Sequence, residues 1–491
     1  MMAAVVAAMT LGELLGSSAG PHGALAVTDL VSDSRQVTPG TAFIALGGQR
    51  SHGLDFADEA LAAGAAIIVY EPDSEGREVP EPALALPGLR ERLGEIAHRF
   101  FARTSTPDQL IGVTGTNGKT TVAWLTAQAL TTLGESCGYL GTIGYGLPDK
   151  LKPQALTTPD CLSLHRKLSE LGTVSAAIEV SSHAISQHRI AGLGFEVAVF
   201  TNLSHDHLDW HGSMASYFET KASLLEHAEL GFAVVNVSDP YGETLLGRLA
   251  PSTHAISVAL DGDSSADITA RVRSLGLEGL VLEASGSYGR TTIESRLIGE
   301  FNAENLLLAL GVLVARGHEI GAAGNALATT TAPPGRMEIF GGPPNRPWVI
   351  VDYAHTPAAL TRVLSGITPP GSGELTCVFG CGGDRDRDKR ALMGRAAASL
   401  AKHIVLTDDN PRGEDPATII ADVMVGTSGH MDVRIEHDRE RAITGAVAAA
   451  SPGDIVLVAG KGHETQQLIG VDSCQPFDDR TVVQRVLEGT S

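Results

Sequence analysis

The feature that most constrains this chain is the run Gly112-Val-Thr-Gly115-Thr-Asn-Gly118-Lys119-Thr120-Thr121. It joins two segments of opposite character: Leu110–Val113 is a short β-rich run, and Thr120–Leu133 carries helical periodicity. A glycine-rich turn from strand to helix lets successive backbone N–H groups converge on one anion, and the helix N-terminus adds partial positive charge. In such a loop Lys119 reaches the β- and γ-phosphates of a nucleotide, and the Thr120 hydroxyl reaches Mg2+. The pattern G-x-x-x-x-G-K-[ST] would need glycine at 113, where this chain has Val113, so the loop is a relative of that motif.

The rest of the chain supplies a sheet for this loop. Residues 1 to about 105 give short mixed elements with Ala65–Tyr70 as an apolar strand, whereas Ala176–Val180, Val197–Thr201 and Phe232–Asn236 read as buried strands alternating with helices, the pattern of a doubly wound parallel sheet. Glu71–Pro87, rich in Pro and Glu, reads as a loop. A second break falls at Thr329–Arg336, where two prolines stop the preceding helix. Beyond it Trp348–Val351, Leu375–Phe379, Ile404–Thr407 and Ile455–Val458 are strands of another α/β unit. A chain of 491 residues exceeds a single compact core. The expected architecture is α/β in three domains. These are a mixed α/β N-terminal domain (1–105), a central doubly wound sheet resembling a P-loop ATPase (106–333), and a C-terminal Rossmann-like domain (334–491).

Composition excludes several functions. Lys plus Arg number 36 against 57 Asp plus Glu, a formal charge of −21, which argues against binding nucleic acid or anionic lipid. Aromatics at 4% leave no stacking platform for single strands. The five cysteines do not resemble a disulfide framework, and Cys377 and Cys381 read as strand and turn positions, not a zinc site. No Lys or Arg precedes Arg35, so the apolar Met1–Met9 lacks the basic region of a signal peptide. Leu306–Ala315 is far below the ~20 residues of a membrane span. The expectation is a soluble, cytoplasmic protein with small-molecule substrates, no nucleic-acid or membrane partner, and a monomeric state.

Two segments follow predicted strands, where α/β sheets hold their ligands. In Glu179-Val-Ser181-Ser182-His183, Glu179 is placed either to hold a cation facing the phosphates or to cap the next helix. In Thr201-Asn-Leu-Ser-His205-Asp206-His207-Leu-Asp209-Trp-His211, three histidines raise zinc. The spacing is loop-like, however, and one imidazole assisting Glu179 at Mg2+ is the better reading. Lys221 lies in Tyr217–His227, which looks helical.

Taken together, TGTNGKTT, Glu179–Arg189 (EVSSHAISQHR), TNLSHDHLDWHG, Gly299-Glu-Phe-Asn302, Gly335-Arg336-Met-Glu, Asp352-Tyr-Ala-His355-Thr-Pro, Phe379–Arg390 (FGCGGDRDRDKR) and Ala459–Glu464 (AGKGHE) resemble the Mur ligases over nearly the whole chain. The resemblance is to members that add meso-diaminopimelate to the D-Glu γ-carboxylate of UDP-MurNAc-L-Ala-D-Glu. It implies ATP-dependent amide synthesis in cytoplasmic peptidoglycan precursor synthesis, through an acyl phosphate, with release of ADP and phosphate. Alternatives are an L-lysine-adding Mur ligase and a ligase like folylpolyglutamate synthetase. A nucleotide-binding regulator without catalysis is disfavoured, since Lys119 and Lys221 are both present. Domain closure is expected, because three substrates would come from three domains.

The resemblance also implies residue roles. Lys119, Lys221, Glu179 and His207 are the catalytic set, with Lys221 carbamoylated by CO2 and joining Thr120, Glu179 and His207 around magnesium. Gly115, Thr116, Asn117, Gly118, Lys119, Thr120, Thr121, Asn302, Arg336 and Asp352 would bind ATP, Asp352 at the ribose. Ser32, Ser34, Gln49, Arg50 and Ser51 match uridine-diphosphate contacts. Thr157, Thr158, Ser181, Gln187 and Arg189 match contacts to the rest of that substrate, although Thr157–Thr158 also reads as an ordinary turn before Pro159. Asp409-Asn410-Pro411-Arg412 resembles the motif of diaminopimelate-specific members, with Arg385, Gly460 and Glu464 completing that site. A guanidinium grips the distal carboxylate that diaminopimelate has and lysine lacks, and it repels lysine's ammonium.

Overall fold

The computed structural model describes residues 8–48, 51–72, 76–103, 106–227, 229–261, 265–471 and 473–489; Gln49 and Arg50 lie outside the described residues. The chain divides into two compact units, Met1–Val258 with Leu308–His318, and Ala259–Leu307 with Glu319–Ser491.

The first unit contains two sheets built mainly of parallel strands, besides the short antiparallel pair Met9–Thr10 and Ala26–Val27. The smaller runs Asp29–Val31, Thr41–Ala45, Ile67–Tyr70, Ala83–Ala85, every neighbour parallel. Strand periodicity sorts its side chains. Ala42 and Ile44 pack with Leu89, Ile96 and Phe100 of the helix Leu89–Phe101, while Phe43 and Ala45 pack with Ala57 and Ala60 on the other face. The strand Ala83–Ala85 corrects the expectation that Glu71–Pro87 is loop throughout. Its parallel pairing with Ile67–Tyr70 supplies the order that local propensity does not.

In the larger sheet the parallel strands lie in the order Cys137–Gly141, Ser175–Glu179, Gln109–Thr114, Phe195–Phe200, Phe232–Asn236, His254–Leu260. An antiparallel hairpin, Gly144–Leu147 and Lys150–Lys152, extends its first edge. Register fixes where the strands stop: Glu179 pairs with Val113, and Phe200 with Thr114. The segments after Thr114, Glu179 and Phe200 therefore emerge side by side at one carboxyl edge. The helix Lys119–Thr132 starts from that edge and is buried along most of its length.

In the second unit, Ile268–Gly276, Gly279–Gly286 and Gly289–Ser295 form an antiparallel meander packed by the helix Ile320–Ala328. A six-stranded sheet follows in the order Glu338–Gly341, Trp348–Asp352, Ile455–Ala459, Leu375–Phe379, His403–Leu406, Val433–Ile435, with only the first strand antiparallel. Ile350, Phe379, Leu406 and Leu457 face the helices Pro357–Ser365, Asp388–Leu400 and Pro416–Met424; Val351, Val378, Val456 and Val458 face Arg439–Ala449 and Asp479–Gly489. Helices on both faces of parallel strands make both sheet systems α/β, as the apolar runs imply. No helix among the described residues is long and apolar enough to cross a membrane. All five cysteines are unpaired.

Candidate active site

At the carboxyl edge of the larger sheet, Gly115 adopts φ +144° and Gly118 +86°, and Gly118 caps the helix. A Cβ at Gly115 would collide with Thr201 Oγ1, so the loop can lie this close to the next strand end only with glycine there. The loop is braced from that side. Thr116 N donates to Asn202 O at 2.9 Å, Asn117 N to Asn202 Oδ1 at 3.0 Å, and Thr201 Oγ1 to Asn117 O at 2.6 Å. Thr121 is buried in the first helical turn. Lys119 Nζ folds back on the carbonyls of Gly115 and Thr116, both at 2.9 Å.

Glu179 is fully buried and does not cap the following helix; Ser181 does, accepting from Ala184 N at 3.1 Å. The carboxylate instead collects donors from three elements. Thr120 Oγ1 donates to Oε2 at 2.9 Å, Thr142 N to Oε1 at 2.8 Å and Thr142 Oγ1 to Oε2 at 3.0 Å, and the Tyr139 hydroxyl also donates to Oε1. Lys221, in the helix Met214–Leu225, is 1% exposed, and its Nζ donates to Gly115 O at 2.6 Å. Burial, with help from the nearby Lys119 charge, drives its pKa well below that of an ordinary lysine, against a smaller opposing pull from Asp206. His207 has φ +51° and sits beside Asp206, Nε2 to Oδ2 3.4 Å. Its ring lies 6.2 Å from Tyr217, over which Lys221 Nζ stands at 4.6 Å. Burial and the neighbouring imidazole His207 both lower His183. Among the described residues no group of three or more His, Cys, Asp or Glu side chains is placed to hold a metal ion.

Beside Glu179 the substrate-matching residues cluster. Thr158 Oγ1 donates to Glu179 O at 2.7 Å and accepts from Ser181 N at 3.1 Å, which ties the bend before Pro159 to the end of the strand Ser175–Glu179. Thr157 Oγ1 is 3.0 Å from Thr142 Oγ1. Arg189 donates to Thr158 O at 2.8 Å and to Gln187 Oε1 at 2.9 Å. Beside the smaller sheet, exposed Ser32 and buried Ser34 follow the strand Asp29–Val31, and Gly48 N donates to Ser51 O at 2.9 Å.

The second unit carries the other residues. Asn302 is buried, its Nδ2 on Ile298 O at 2.7 Å. The Arg336 guanidinium stacks 4.5 Å over Tyr353. Asp352 accepts from Met337 N and Ala354 N, both at 2.8 Å, and burial pushes its carboxyl upward. At the carboxyl ends of the six-stranded sheet a cavity of about 330 Å3 is lined by Arg385, Asp409, Asn410, Arg412, Gly460 and Glu464, together with Tyr353, His355 and Lys389. Arg412 adopts φ +51°, and its Nη1 donates to Gly383 O at 2.9 Å. Asn410 Nδ2 donates to Glu464 Oε2 at 2.8 Å. Pro411 turns the chain between them, its carbonyl against Gly383. A Cβ at Gly460, φ +115°, would crowd Asp409 Oδ2 at 2.5 Å.

Known proteins resemble this chain in sequence and fold. The Mur ligase middle domain matches residues 113–313, the Mur ligase glutamate ligase domain 335–462, and the Mur ligase family catalytic domain 27–101. This chain belongs to the Mur ligase family. A UDP-N-acetylmuramoyl-L-alanyl-D-glutamate--2,6-diaminopimelate ligase of Xylella fastidiosa (strain Temecula1 / ATCC 700964) is 46% identical over 470 residues, 95% of this chain and 94% of that protein. One of the same name from Pseudomonas aeruginosa is 43% identical over 469 residues, covering 94% and 95%. A solved structure of a ligase of that name superposes with a TM-score of 0.70 at 34% identity, over 98% of this chain and 99% of that one. The MurF ligase of Thermotoga maritima, solved with ADP, shares the fold at 18% identity and a TM-score of 0.66, over 94% and 98%.

The oxygen donors of this Mur ligase suit a hard cation: the Thr120 hydroxyl and Glu179 carboxylate meet beside the phosphate loop. The motif reading did not assign Tyr139 and Thr142, which hold Glu179, or Tyr353, His355 and Lys389 of the cavity. The last three stand inside the Asp352–Pro357 and Phe379–Arg390 motifs, which could have pointed to them. Tyr139 and Thr142 carry no local signal, because they reach Glu179 only across the sheet.

Proposed function

We propose that this chain is an ATP-dependent ligase that joins meso-diaminopimelate to the D-Glu γ-carboxylate of UDP-N-acetylmuramoyl-L-alanyl-D-glutamate, releasing ADP and phosphate. The observation that carries the reading is the cavity at the carboxyl ends of the six-stranded sheet, which gathers Arg385, Arg412, Asp409 and Glu464. Two guanidiniums and two carboxylates complement the two carboxylates and two ammoniums of diaminopimelate. Lysine would leave Arg412 facing an ammonium, which disfavours the lysine-adding alternative.

The chemistry follows from the reactants. A carboxylate acylates poorly until it carries a good leaving group, so the substrate's γ-carboxylate oxygen attacks the γ-phosphorus of ATP and ADP departs. The diaminopimelate amine then attacks the acyl carbon, phosphate leaves with the C–O electron pair, and the amine loses a proton. Lys119 and the amides of Gly115–Thr121 hold the phosphates and offset charge on the transferring group. Thr120 and Glu179, with His207 and a carbamate on Lys221, would hold Mg2+, which supplies further charge neutralisation. A buried amine at Lys221, its pKa held well below that of an ordinary lysine, suits carbamoylation, because CO2 reacts with the unprotonated form. Asn302, Arg336 and Asp352 would hold the nucleotide. Ser32, Ser34 and Ser51, with Gln49 and Arg50, would bind the uridine diphosphate, and Thr157, Thr158, Ser181, Gln187 and Arg189 the peptidyl sugar. The corresponding functional segments are 1–105, 106–333 and 334–491. We take the enzyme to be a cytoplasmic monomer.

Diaminopimelate-dependent ADP release with the UDP-linked dipeptide, and none with a folate and glutamate, tests the reading. Release with the folate pair alone would replace it by the folylpolyglutamate-type alternative.

A further inference from the structure

We propose that Lys461 is a positioning residue, a buried ammonium that fixes Asn410 and Glu464 toward the amino-acid substrate without touching it. The inference rests on the assignment of that cavity to diaminopimelate. Lys461 is 0% exposed, and its Nζ donates to Asn410 Oδ1 at 3.1 Å, Glu464 Oε2 at 2.9 Å and Gln466 O at 2.7 Å. An ammonium has three N–H donors, so none is left for a ligand.

The two partners are locked as a consequence. Asn410 Oδ1 accepts from Lys461 and from Leu468 N at 2.9 Å, which orients the amide so that Nδ2 meets Glu464 Oε2 at 2.8 Å. Oε2 thus takes two donors, and Oε1 is the oxygen left for an incoming ammonium. Burial raises the Glu464 carboxyl, but Lys461, by charge and hydrogen bond, and Asn410 outweigh it and leave it lower than an ordinary glutamate. The other charged or titratable groups facing this cluster among the described residues are Asp409, Arg439, Asp479, His463, His355 and Tyr353, with Arg385, Lys389 and Arg412 across the cavity. Without the ammonium, the amide is free to flip and the carboxylate to rotate and protonate at higher pH.

The test is steady-state phosphate release by the full-length enzyme with ATP, the UDP-linked dipeptide and diaminopimelate, from pH 5.5 to 9. It compares wild type, Lys461→Met, Lys461→Arg, Glu464→Gln and the Lys461→Met/Glu464→Gln double variant. Lys461→Met should raise the KM for diaminopimelate about tenfold or more, since it unmakes hydrogen bonds to a charged group, while the KM for ATP stays within about twofold. The acid limb of kcat/KM for diaminopimelate should move to higher pH. In the Glu464→Gln background Lys461→Met should add less than about threefold, because both act through one carboxylate. If Lys461→Met does not fold by thermal melting, Lys461→Arg carries the test: it keeps the charge, so the KM rises while the acid limb stays. An unchanged KM for diaminopimelate in either variant, a parallel rise for all three substrates, or full additivity with Glu464→Gln would overturn the proposal. A wild-type enzyme indifferent to diaminopimelate would overturn the ligase reading instead.

Discussion

The amino groups of Lys119 and Lys221 share one acceptor, the carbonyl oxygen of Gly115, at 2.9 and 2.6 Å. Two ammoniums on one carbonyl repel, and the fold resolves the conflict by burying Lys221 and lowering its pKa. The Lys119 charge thus adds to burial in lowering Lys221, the amine that stands behind the phosphate loop.

Lys221→Ala is expected to lower ligase activity by ~10²-fold or more, the cost of losing one electrostatic partner of a transferring phosphoryl group. Activity of the wild type should fall in CO2-depleted buffer and return with bicarbonate. Full activity of Lys221→Ala without bicarbonate would remove the carbamate role.

Arg412→Ala should raise the KM for diaminopimelate about 10²-fold, because a charged contact to a carboxylate contributes roughly 2–4 kcal/mol. Arg412→Lys should recover little, since an ammonium cannot form the paired N–H contacts. The left-handed backbone of residue 412 is common to all three proteins, so thermal melting should separate local strain from lost binding.

The C-terminal sheet depends on a fully buried ion pair. Arg439 Nε donates to Asp479 Oδ1 at 2.7 Å and Nη2 to Oδ2 at 2.8 Å, with both side chains 0% exposed. Asp479→Ala should cost about 3–5 kcal/mol of stability by stranding the guanidinium, read as a lowered Tm. The Arg439→Met/Asp479→Leu pair should recover much of that loss.

His403 bridges Glu374 and Asp432, its two ring nitrogens each 2.6 Å from a carboxylate. The hydrogen bond to Glu374, with that to Asp432, raises its pKa against partial burial. A raised imidazole contributes stability that is fully present below the unfolded value of about 6.5 and is lost as pH rises through the folded one. The Tm difference between wild type and His403→Gln should therefore be larger at pH 6 than at pH 9. An equal difference at both would mean the bridge is uncharged.

Much of this was legible in the sequence because buried parallel strands are written as unbroken apolar runs. Trp348–Val351 and Ile455–Val458 each end one residue short of the observed strands, and the phosphate loop falls between Thr114 and Lys119 as read. The strand Ala83–Ala85 was not legible, since its order comes from a neighbour 15 residues away in sequence pairing at Ile68–Tyr70. The capping role open to Glu179 went to Ser181, because the carboxylate is claimed by Thr120, Tyr139 and Thr142 from other elements. Spacing along one segment cannot reveal donors that arrive from across the sheet.

The most direct measurement is an amino-acid panel with ATP, Mg2+, bicarbonate and the UDP-muramoyl dipeptide, read by phosphate release and by mass of the product. The account predicts release and a UDP-muramoyl tripeptide with meso-diaminopimelate, and little of either with L-lysine. Equal turnover of lysine, or no tripeptide from any amino acid, would contradict it.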